Sequence, residues 1–156
     1  MSVSGTAPAA PIRGWARSTL LVLAAGGLGG AAPLASLDIG LEGLRSTKGL
    51  VQVCITADPA HFPACDKDPV ARRRTVAAAA ATRMRFDDLP SGHYAVALFH
   101  DENGNGRIDT RFGIPIEGVG FSNNPRLWFG PPSFRAAEIT VTGQATDEMV
   151  KLRYFL

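Results

Sequence analysis

The sequence predicts an all-β protein, a single antiparallel β-sandwich of about seven strands with one long ordered excursion after its central strand. Three observations predict this. Several segments alternate apolar and polar residues, which is the pattern of half-buried strands. Turn-forming residues are abundant, with 17 Gly and 11 Pro among 156 residues. A strong helical period is rare, and the length suits one domain.

The N-terminal segment is predicted to be separate from the fold. Arg13 and Arg17 precede an apolar run that ends in small residues. A basic, then apolar, then small-residue order is typical of a secretory signal. We therefore predict a signal peptide over residues 1–35 and an exported domain, periplasmic or secreted, over residues 36–156. A retained membrane anchor is the alternative, but the run falls short of the roughly 20 apolar residues that a spanning helix needs.

The charge of the predicted mature chain limits its partners. Without Arg13 and Arg17, 14 of the 16 Lys and Arg residues remain against 14 Asp and Glu residues. A net charge near zero argues against nucleic acid or an anionic membrane surface as a partner. The basic cluster at 72–74 is interpreted as solvated side chains.

Two cysteines remain in the exported part, Cys54 and Cys65. An even count in an oxidising compartment predicts one disulfide, which would close a short loop. The alternative is a two-thiol metal site. It lacks the further Cys or His spacing that zinc usually shows, and His61 is the one His within the loop.

Six segments show strand patterns and are taken in chain order. They are 36–44, 49–57, 81–92, 93–100, 136–143 and 147–155. The segment 93–100 is apolar on both faces, which indicates a central strand. The last two segments flank a short turn-like stretch and are predicted to pair as a final hairpin.

The stretch 69–82 is ambiguous. Asp68 followed by Pro69 and an alanine run resembles a capped helix. Thr75, Val76 and Thr82 bracket the alanines, however, and strands are predicted on both sides. A short helix and a small-residue strand both remain open, and the strand is favoured.

The connection 101–134 is long enough to be a functional feature, because connections beyond about 12–15 residues are uncommon in compact domains. Its aromatic side chains are expected to anchor it to the body of the domain, and its Gly and Pro residues to set turns. These aromatic residues are Phe112, Phe121, Trp128, Phe129 and Phe134.

The start of this excursion has the spacing of a calcium-binding loop, in which oxygen donors alternate and a Gly makes the sharp turn. Position twelve is Phe112 where a bidentate Glu is expected, so Glu117 is predicted to supply that carboxylate. The alternative is a metal-free turn in which Asp101 and Asp109 accept backbone N–H groups. The predicted donors are Asp101, Asn103, Asn105, the carbonyl of Arg107, Asp109 and Glu117.

Nothing in the sequence requires catalysis, so we predict a non-catalytic binding or structural module of the cell envelope. The second part of the excursion is predicted to form a recognition patch for a glycan, a peptide or an envelope protein. Its residues are Phe121, Asn123, Asn124, Trp128 and Phe129. For Trp128 and Phe129, packing against the sandwich is the favoured alternative.

A periplasmic hydrolase is the alternative function. His100 and Glu117, together with Asp101, would form a general acid/base set, with Ser122 or Ser133 as the nucleophile beside His100. No nucleophile elbow, zinc-protease motif or phosphate-binding Gly loop accompanies them. A non-catalytic role is therefore preferred.

The stretch DLPSGHYAVALFHDENGNGRIDTRFGIPIEGVGFSNN, followed by GPPSF, resembles domain of unknown function family 2141, a family of exported bacterial proteins. The resemblance covers residues 36–154. It implies an immunoglobulin- or transthyretin-like sandwich and a strand in the alanine run, and it implies no established activity. Positions that match the family's motif are Asp101, Asn103, Asn105, Asp109, Gly113, Pro115, Glu117, Gly120, Phe121, Ser122 and Asn123.

Overall fold

The computed structural model describes residues 1–2, 4–5, 33–143 and 145–156. Residues Ala31–Leu156 form one compact unit with its own hydrophobic core. The predicted signal peptide lies almost entirely outside the described residues. Within the described part of the chain, no helix is long and apolar enough to cross a membrane.

The described residues form short strands with two brief helical turns. The strands are β1 (Leu34–Glu42), β2 (Leu50–Thr56), β3 (Arg72–Ala77), β4 (Arg83–Pro90), β5 (Gly92–Asp101), β6 (Thr110–Arg111), β7 (Ile114–Pro115), β8 (Gly118–Phe121), β9 (Glu138–Val141) and β10 (Ala145–Lys151). A 3₁₀ turn spans Ala78–Ala80, and the helical turn α1 spans Phe134–Ala137. The all-β prediction is confirmed.

Two sheets share one core. The smaller has the order β10-β1-β4, and the larger has the order β3-β2-β5-β8, with β9 also paired to β5. Leu37 and Ile39 of β1 meet Val51 of β2 and Val96 of β5 in this core, all fully buried.

Leu37, Ile39 and Leu41 of β1 enter the core as predicted, but the strand is not half-buried, because Asp38 and Gly40 on the other face are buried as well. The central place predicted for β5 is confirmed.

The predicted final hairpin is wrong. β9 pairs antiparallel with β5 in the larger sheet, whereas β10 pairs parallel with β1 in the smaller one. The chain between them therefore crosses from one sheet to the other. Val141 and Val150 both enter the shared core, one from each sheet, so burial rather than local turn chemistry decides the pairing.

The alanine run is partly a strand. The strand prediction holds for Arg72–Ala77, but the next alanines form a 3₁₀ turn. Ala78 and Ala81 are fully buried because the chain passes here from the larger sheet to the smaller one. Side chains of one carbon let the backbone enter the core at this crossing.

The basic cluster 72–74 is exposed, as its interpretation as solvated side chains requires, and two of its arginines also hydrogen-bond to β4. Arg72 and Arg74 donate to the main-chain carbonyls of Asp88 and Arg85, at 3.3 and 2.7 Å. These carbonyls belong to β4, which faces β3 across the open side of the two sheets. Arg73, between them, points outward and comes only within 3.8 Å of an Asp66 oxygen.

The predicted boundary between signal peptide and domain, after residue 35, falls inside β1. β1 begins at Leu34, and the carbonyl of Pro33 accepts a hydrogen bond from Ser91. A domain that began at residue 36 would lack the first two residues of this strand.

Candidate metal centre

The register of β5 and β8 brings two carboxylates together. His100 pairs with Gly118 in this antiparallel ladder, so the next residues along, Asp101 and Glu117, stand opposite each other. Directly opposed residues of an antiparallel pair project to the same face of the sheet. Both side chains are buried, Asp101 at 0% and Glu117 at 3% exposure.

The loop that follows Asp101 folds around that carboxylate. The backbone N–H of Asn105 donates to Asp101 Oδ1 at 3.0 Å, and the N–H of Gly106 donates to Oδ2 at 2.8 Å. Gly104 and Gly106 have φ of 73° and 78°, a backbone region that Gly adopts without strain. The loop thus curls so that its polar side chains gather on one side.

The other candidate calcium ligands of the loop are held by hydrogen bonds to the backbone and to one another. Oδ1 of Asn103 accepts from the N–H of Asn105, and Oδ1 of Asn105 accepts from the N–H of Arg107, each at 3.0 Å. Both amide Nδ2 groups donate to Asp109 Oδ2, at 2.7 and 2.8 Å. The hydrogen bonds from backbone N–H groups to the two Oδ1 atoms fix the orientation of each Asn amide.

A small hairpin returns the chain to this loop. β6 and β7 pair antiparallel, and the N–H of Ile116 closes the hairpin by donating to the carbonyl of Asp109 at 3.0 Å. The N–H of Asp109 in turn donates to Glu117 Oε2 at 3.2 Å. Phe112 lies at the tip of the hairpin, 96% exposed, and Glu117 comes back to the loop.

Glu117 is an unusual carboxylate for this protein. Its Oε1 is buried without a hydrogen-bond partner, although the N–H of Glu102 also faces the group. Burial raises the pKa of Glu117 above its ordinary value, and the nearby carboxylates of Asp101 and Asp109 raise it further. Arg45 interacts with Glu117 only through space, and burial beside two other carboxylates disfavours the charged form of this group.

The candidate calcium ligands are oxygen atoms of several chemical kinds. Within residues 33–143 and 145–156, no three His, Cys, Asp or Glu side chains converge into a cluster that could hold a metal by themselves. The loop instead combines carboxylates with two Asn amides and a main-chain carbonyl. Oxygen-only sets of this kind suit calcium rather than zinc or copper.

The residues of the hydrolase hypothesis are not brought together. His100 projects to the opposite face of the sheet from Glu117, where its ring nitrogens contact the Tyr154 hydroxyl and the Lys48 carbonyl at 2.7 Å each. Ser122 accepts from the N–H of Val96 at 2.9 Å and donates to a main-chain carbonyl. Ser133 caps α1.

The predicted recognition residues divide into two groups. Phe121 is buried, and Asn123 and Asn124 bond to neighbouring main-chain groups. Trp128 and Phe129 are 78% and 100% exposed.

The expectation that all five aromatic residues anchor the excursion is therefore wrong for Phe112, Trp128 and Phe129. It is right for Phe121, and Phe134 packs against the same cluster. That cluster covers only part of the outer face of the larger sheet, so the loop tips extend past it.

The family profile described as an uncharacterized protein conserved in bacteria, DUF2141, matches residues 39–149, which is most of the chain. The chain belongs to this family. Neither a curated protein nor a solved structure matches it. The match spans β1 to β10 and includes the whole candidate metal centre, so the loop lies within the region that defines the family.

The predicted disulfide of this DUF2141 domain is confirmed between Cys54 and Cys65. The loop that it closes places Phe62 against Phe121 and Phe134, with both pairs of ring centroids 5.9 Å apart. The disulfide loop therefore helps to cover the outer face of the sheet whose end holds the metal centre.

Sequence reasoning missed the residue that braces the site from behind. Arg45 donates to Glu102 Oε2, with its Nε at 3.0 Å, and to the carbonyl of Ile116 at 3.0 Å. Glu102 and Ile116 are next in sequence to the candidate calcium ligands Asp101 and Glu117. A lone Arg in a loop of polar and Gly residues gives no sequence signal, because its partners are remote along the chain.

Proposed function

We propose that this DUF2141 protein is an exported, non-catalytic module of the bacterial cell envelope in which a calcium ion orders the excursion. The observation that carries the proposal is Oε1 of Glu117, which is buried and unpartnered opposite the carboxylate of Asp101. A divalent cation would supply the missing partner. The residues that would hold it are Asp101, Asn103, Asn105, the carbonyl of Arg107, Asp109 and Glu117.

Calcium fits these donors better than other cations. It takes six to eight oxygen ligands in flexible geometry, whereas magnesium demands near-ideal octahedra and keeps its waters. Asp101 and Glu117 are buried, while Asp109 is about one-quarter exposed. With so few carboxylates we expect a weak site, with a Kd of roughly 10⁻⁴–10⁻³ M, as in extracellular modules.

The proposed location and role rest on other features. A disulfide between Cys54 and Cys65 is typical of oxidising compartments, and the N-terminal sequence pattern is that of a secretory signal. No geometry among the described residues supports a hydrolase, because His100, Ser122 and Ser133 are each hydrogen-bonded to other parts of the fold. A structural or binding role is therefore proposed. A glycan, a peptide or an envelope protein remains the proposed class of partner.

The test is a calcium titration by calorimetry on residues 31–156, which contain the shared core and the strands β1 to β10 of the described residues. We expect saturable binding at millimolar calcium. Calcium at ten to one hundred times its Kd should stabilise the fold by about 1.5–3 kcal/mol. Glu117→Gln and Asp101→Asn should abolish both effects.

The matched control is Asp66→Asn, which removes a carboxylate that is 81% exposed and far from the loop in the chain. It should bind calcium like the parent domain. Absence of binding up to about ten times the upper Kd expected for such sites would refute the metal site, as would equal binding by Glu117→Gln.

A further inference from the structure

A second feature of the excursion is not used by the metal centre. The segment Arg126–Pro132, here named the aromatic tip, has the sequence RLWFGPP. Trp128 and Phe129 at its centre are 78% and 100% exposed. Burying large apolar side chains is favourable, so two adjacent exposed aromatic rings indicate a contact surface.

The aromatic tip projects from a fixed base. Before it, the Asn124 amide is bound to the main chain of β10, and Phe121 is buried. After it, Ser133 caps α1, and Phe134 packs against the buried cluster on the outer face of the larger sheet. The exposure of Trp128 and Phe129 is therefore not the fraying of a loose segment.

Charges along the excursion are segregated by exposure. Its acidic side chains turn inward: Glu117 is buried, and those of Glu102 and Asp109 are 27% and 26% exposed. Its basic side chains are all exposed, namely Arg107, Arg111 and Arg126, and Arg135 directly after the excursion is exposed as well. The outer surface of the excursion is thus cationic, although the net charge of the predicted mature chain is near zero.

We propose that the aromatic tip inserts into the interface of an anionic phospholipid bilayer. Trp and Phe side chains at a projecting tip suit the boundary between headgroups and acyl chains. Arg126, which is exposed at the start of the aromatic tip, would contact lipid phosphates. A protein partner would instead need a broad complementary surface of about 800 Å², whereas a projecting tip can enter a deformable apolar phase.

The anchors of the aromatic tip are separate from the calcium donors, so the contact is independent of the proposed metal site. A net charge near zero argues against an anionic membrane partner, but net charge averages over the whole surface, and the proposal depends on the charge near the aromatic tip. Electrostatic attraction to an anionic membrane acts over about one Debye length, roughly 8–10 Å. The arginines near the contact therefore determine its strength.

The test uses residues 31–156 in EDTA, where Trp128 is the single Trp, since the other Trp of the chain is Trp15. Vesicles of phosphatidylcholine alone are compared with vesicles that also contain phosphatidylglycerol. We expect co-sedimentation with the anionic vesicles, weakened by high salt, and a blue shift of the Trp128 fluorescence on binding. Trp128→Ser/Phe129→Ser should weaken the partition at least about tenfold.

Val70→Ser is the matched control, because Val70 is an exposed apolar residue outside the excursion. It should bind vesicles like the parent domain. Unchanged Trp128 fluorescence with vesicles, or equal partition of the double variant, would overturn the proposal. Dimerisation that depends on Trp128, without vesicle binding, would overturn it in favour of a second copy of the chain as the partner.

Discussion

Glu102 and Glu117 lie near each other in the fold, and their carboxyl groups are shifted in opposite directions. The hydrogen bond from Arg45 lowers the pKa of Glu102. Burial raises the pKa of Glu117, and neighbouring carboxylates add to the rise. At the scale of single residues, Arg45 hydrogen-bonds to Glu102, whereas it acts on Glu117 only through space.

The raised pKa of Glu117 gives a testable pH dependence. A proton binds this group more tightly in the folded protein than in the unfolded chain. Protonation of Glu117 therefore stabilises the folded protein fully below the ordinary pKa of 4.5. This stabilisation is lost as pH rises through the higher pKa of the folded state. In EDTA at pH 7 we expect Glu117→Gln to raise the free energy of unfolding by about 1 kcal/mol.

This gain should shrink as the pH falls towards the ordinary pKa of 4.5, where the wild-type residue is also protonated. Denaturant unfolding at both pH values measures it. Glu42→Gln, at an exposed position that ends β1, should show no such pattern. A Glu117→Gln variant that is less stable than wild type at pH 7 without calcium would contradict the unpartnered carboxylate.

Phe112 occupies a backbone conformation that suits another residue. Phe112 and Gly113 form the two-residue turn between β6 and β7, and both have positive φ, 51° and 77°. Such turns strongly favour Asn-Gly, and a bulky residue there costs about 1–2 kcal/mol.

Phe112→Asn should therefore stabilise the domain by about 1 kcal/mol, which corresponds to a rise in Tm of a few degrees. Calorimetric melting measures it. Phe112→Ala, which keeps the β-carbon but removes the exposed ring, should change Tm little. A clear loss of stability in Phe112→Asn would mean that the ring makes a contact worth more than the strain.

At the scale of elements, the open edges of the sheets are closed by side chains. Arg72 and Arg74 donate to carbonyls of β4. Asn124 acts like a short piece of strand beside β10: its Nδ2 donates to the Met149 carbonyl at 2.6 Å, and its Oδ1 accepts from the Lys151 N–H at 2.8 Å. Covered edges protect a sheet protein from pairing with other chains.

Removing the Asn124 amide should expose the edge of β10. We expect Asn124→Ala to lower the free energy of unfolding by about 1–2 kcal/mol and to speed hydrogen exchange at the Lys151 amide. Since φ at Asn124 is 44°, part of this loss is backbone strain.

Asn124→Gly separates the two causes because Gly adopts positive φ without strain. It should lose less stability than Asn124→Ala, with equally fast exchange at Lys151. Unchanged exchange in both variants would show that the side chain does not protect this edge.

At the scale of the whole molecule, Arg45 connects parts that are distant along the chain. Its guanidinium lies 4.4 Å from the centre of the Tyr154 ring and donates to the carbonyl of Leu156 at 2.9 Å. It also holds Glu102 and the carbonyl of Ile116. The loop after β1, the C-terminus and both ends of the metal loop therefore meet at one side chain.

Arg45→Gln should lower the free energy of unfolding by about 1 kcal/mol at pH 7, since the side chain is 41% exposed and solvent screens its ion pair. The lowered pKa of Glu102 means that this stabilisation is present above the ordinary value of 4.5 and is lost as pH falls through the folded value. The difference between variant and wild type should shrink in acid, as measured by denaturant unfolding.

Arg73→Gln is the control, because Arg73 comes only within 3.8 Å of an exposed Asp66. It should leave stability nearly unchanged at every pH. A pH-independent loss in Arg45→Gln would mean that packing on Tyr154, rather than the charge of Glu102, accounts for the effect.

Some features follow from local sequence and others do not. The alternation of Leu37, Ile39 and Leu41 predicts β1, because side chains alternate faces along a strand and only one face meets the core. β8 was missed because Gly118–Phe121 is short and Gly-rich. Its strand character arises only from pairing with β5, and Gly118 leaves room for the ring of Tyr154, which a β-carbon would approach to 2.5 Å.

The all-β class, the central strand and the disulfide between Cys54 and Cys65 could be predicted from the chain alone, because they depend on patterns within a few residues. The parallel pairing of β10 with β1, the opposite faces of His100 and Glu117 and the exposure of Trp128 and Phe129 could not, and the tertiary structure decided them. It also placed Glu117 across from Asp101. Each of these depends on register between strands that are remote along the chain, and burial in a shared core sets that register.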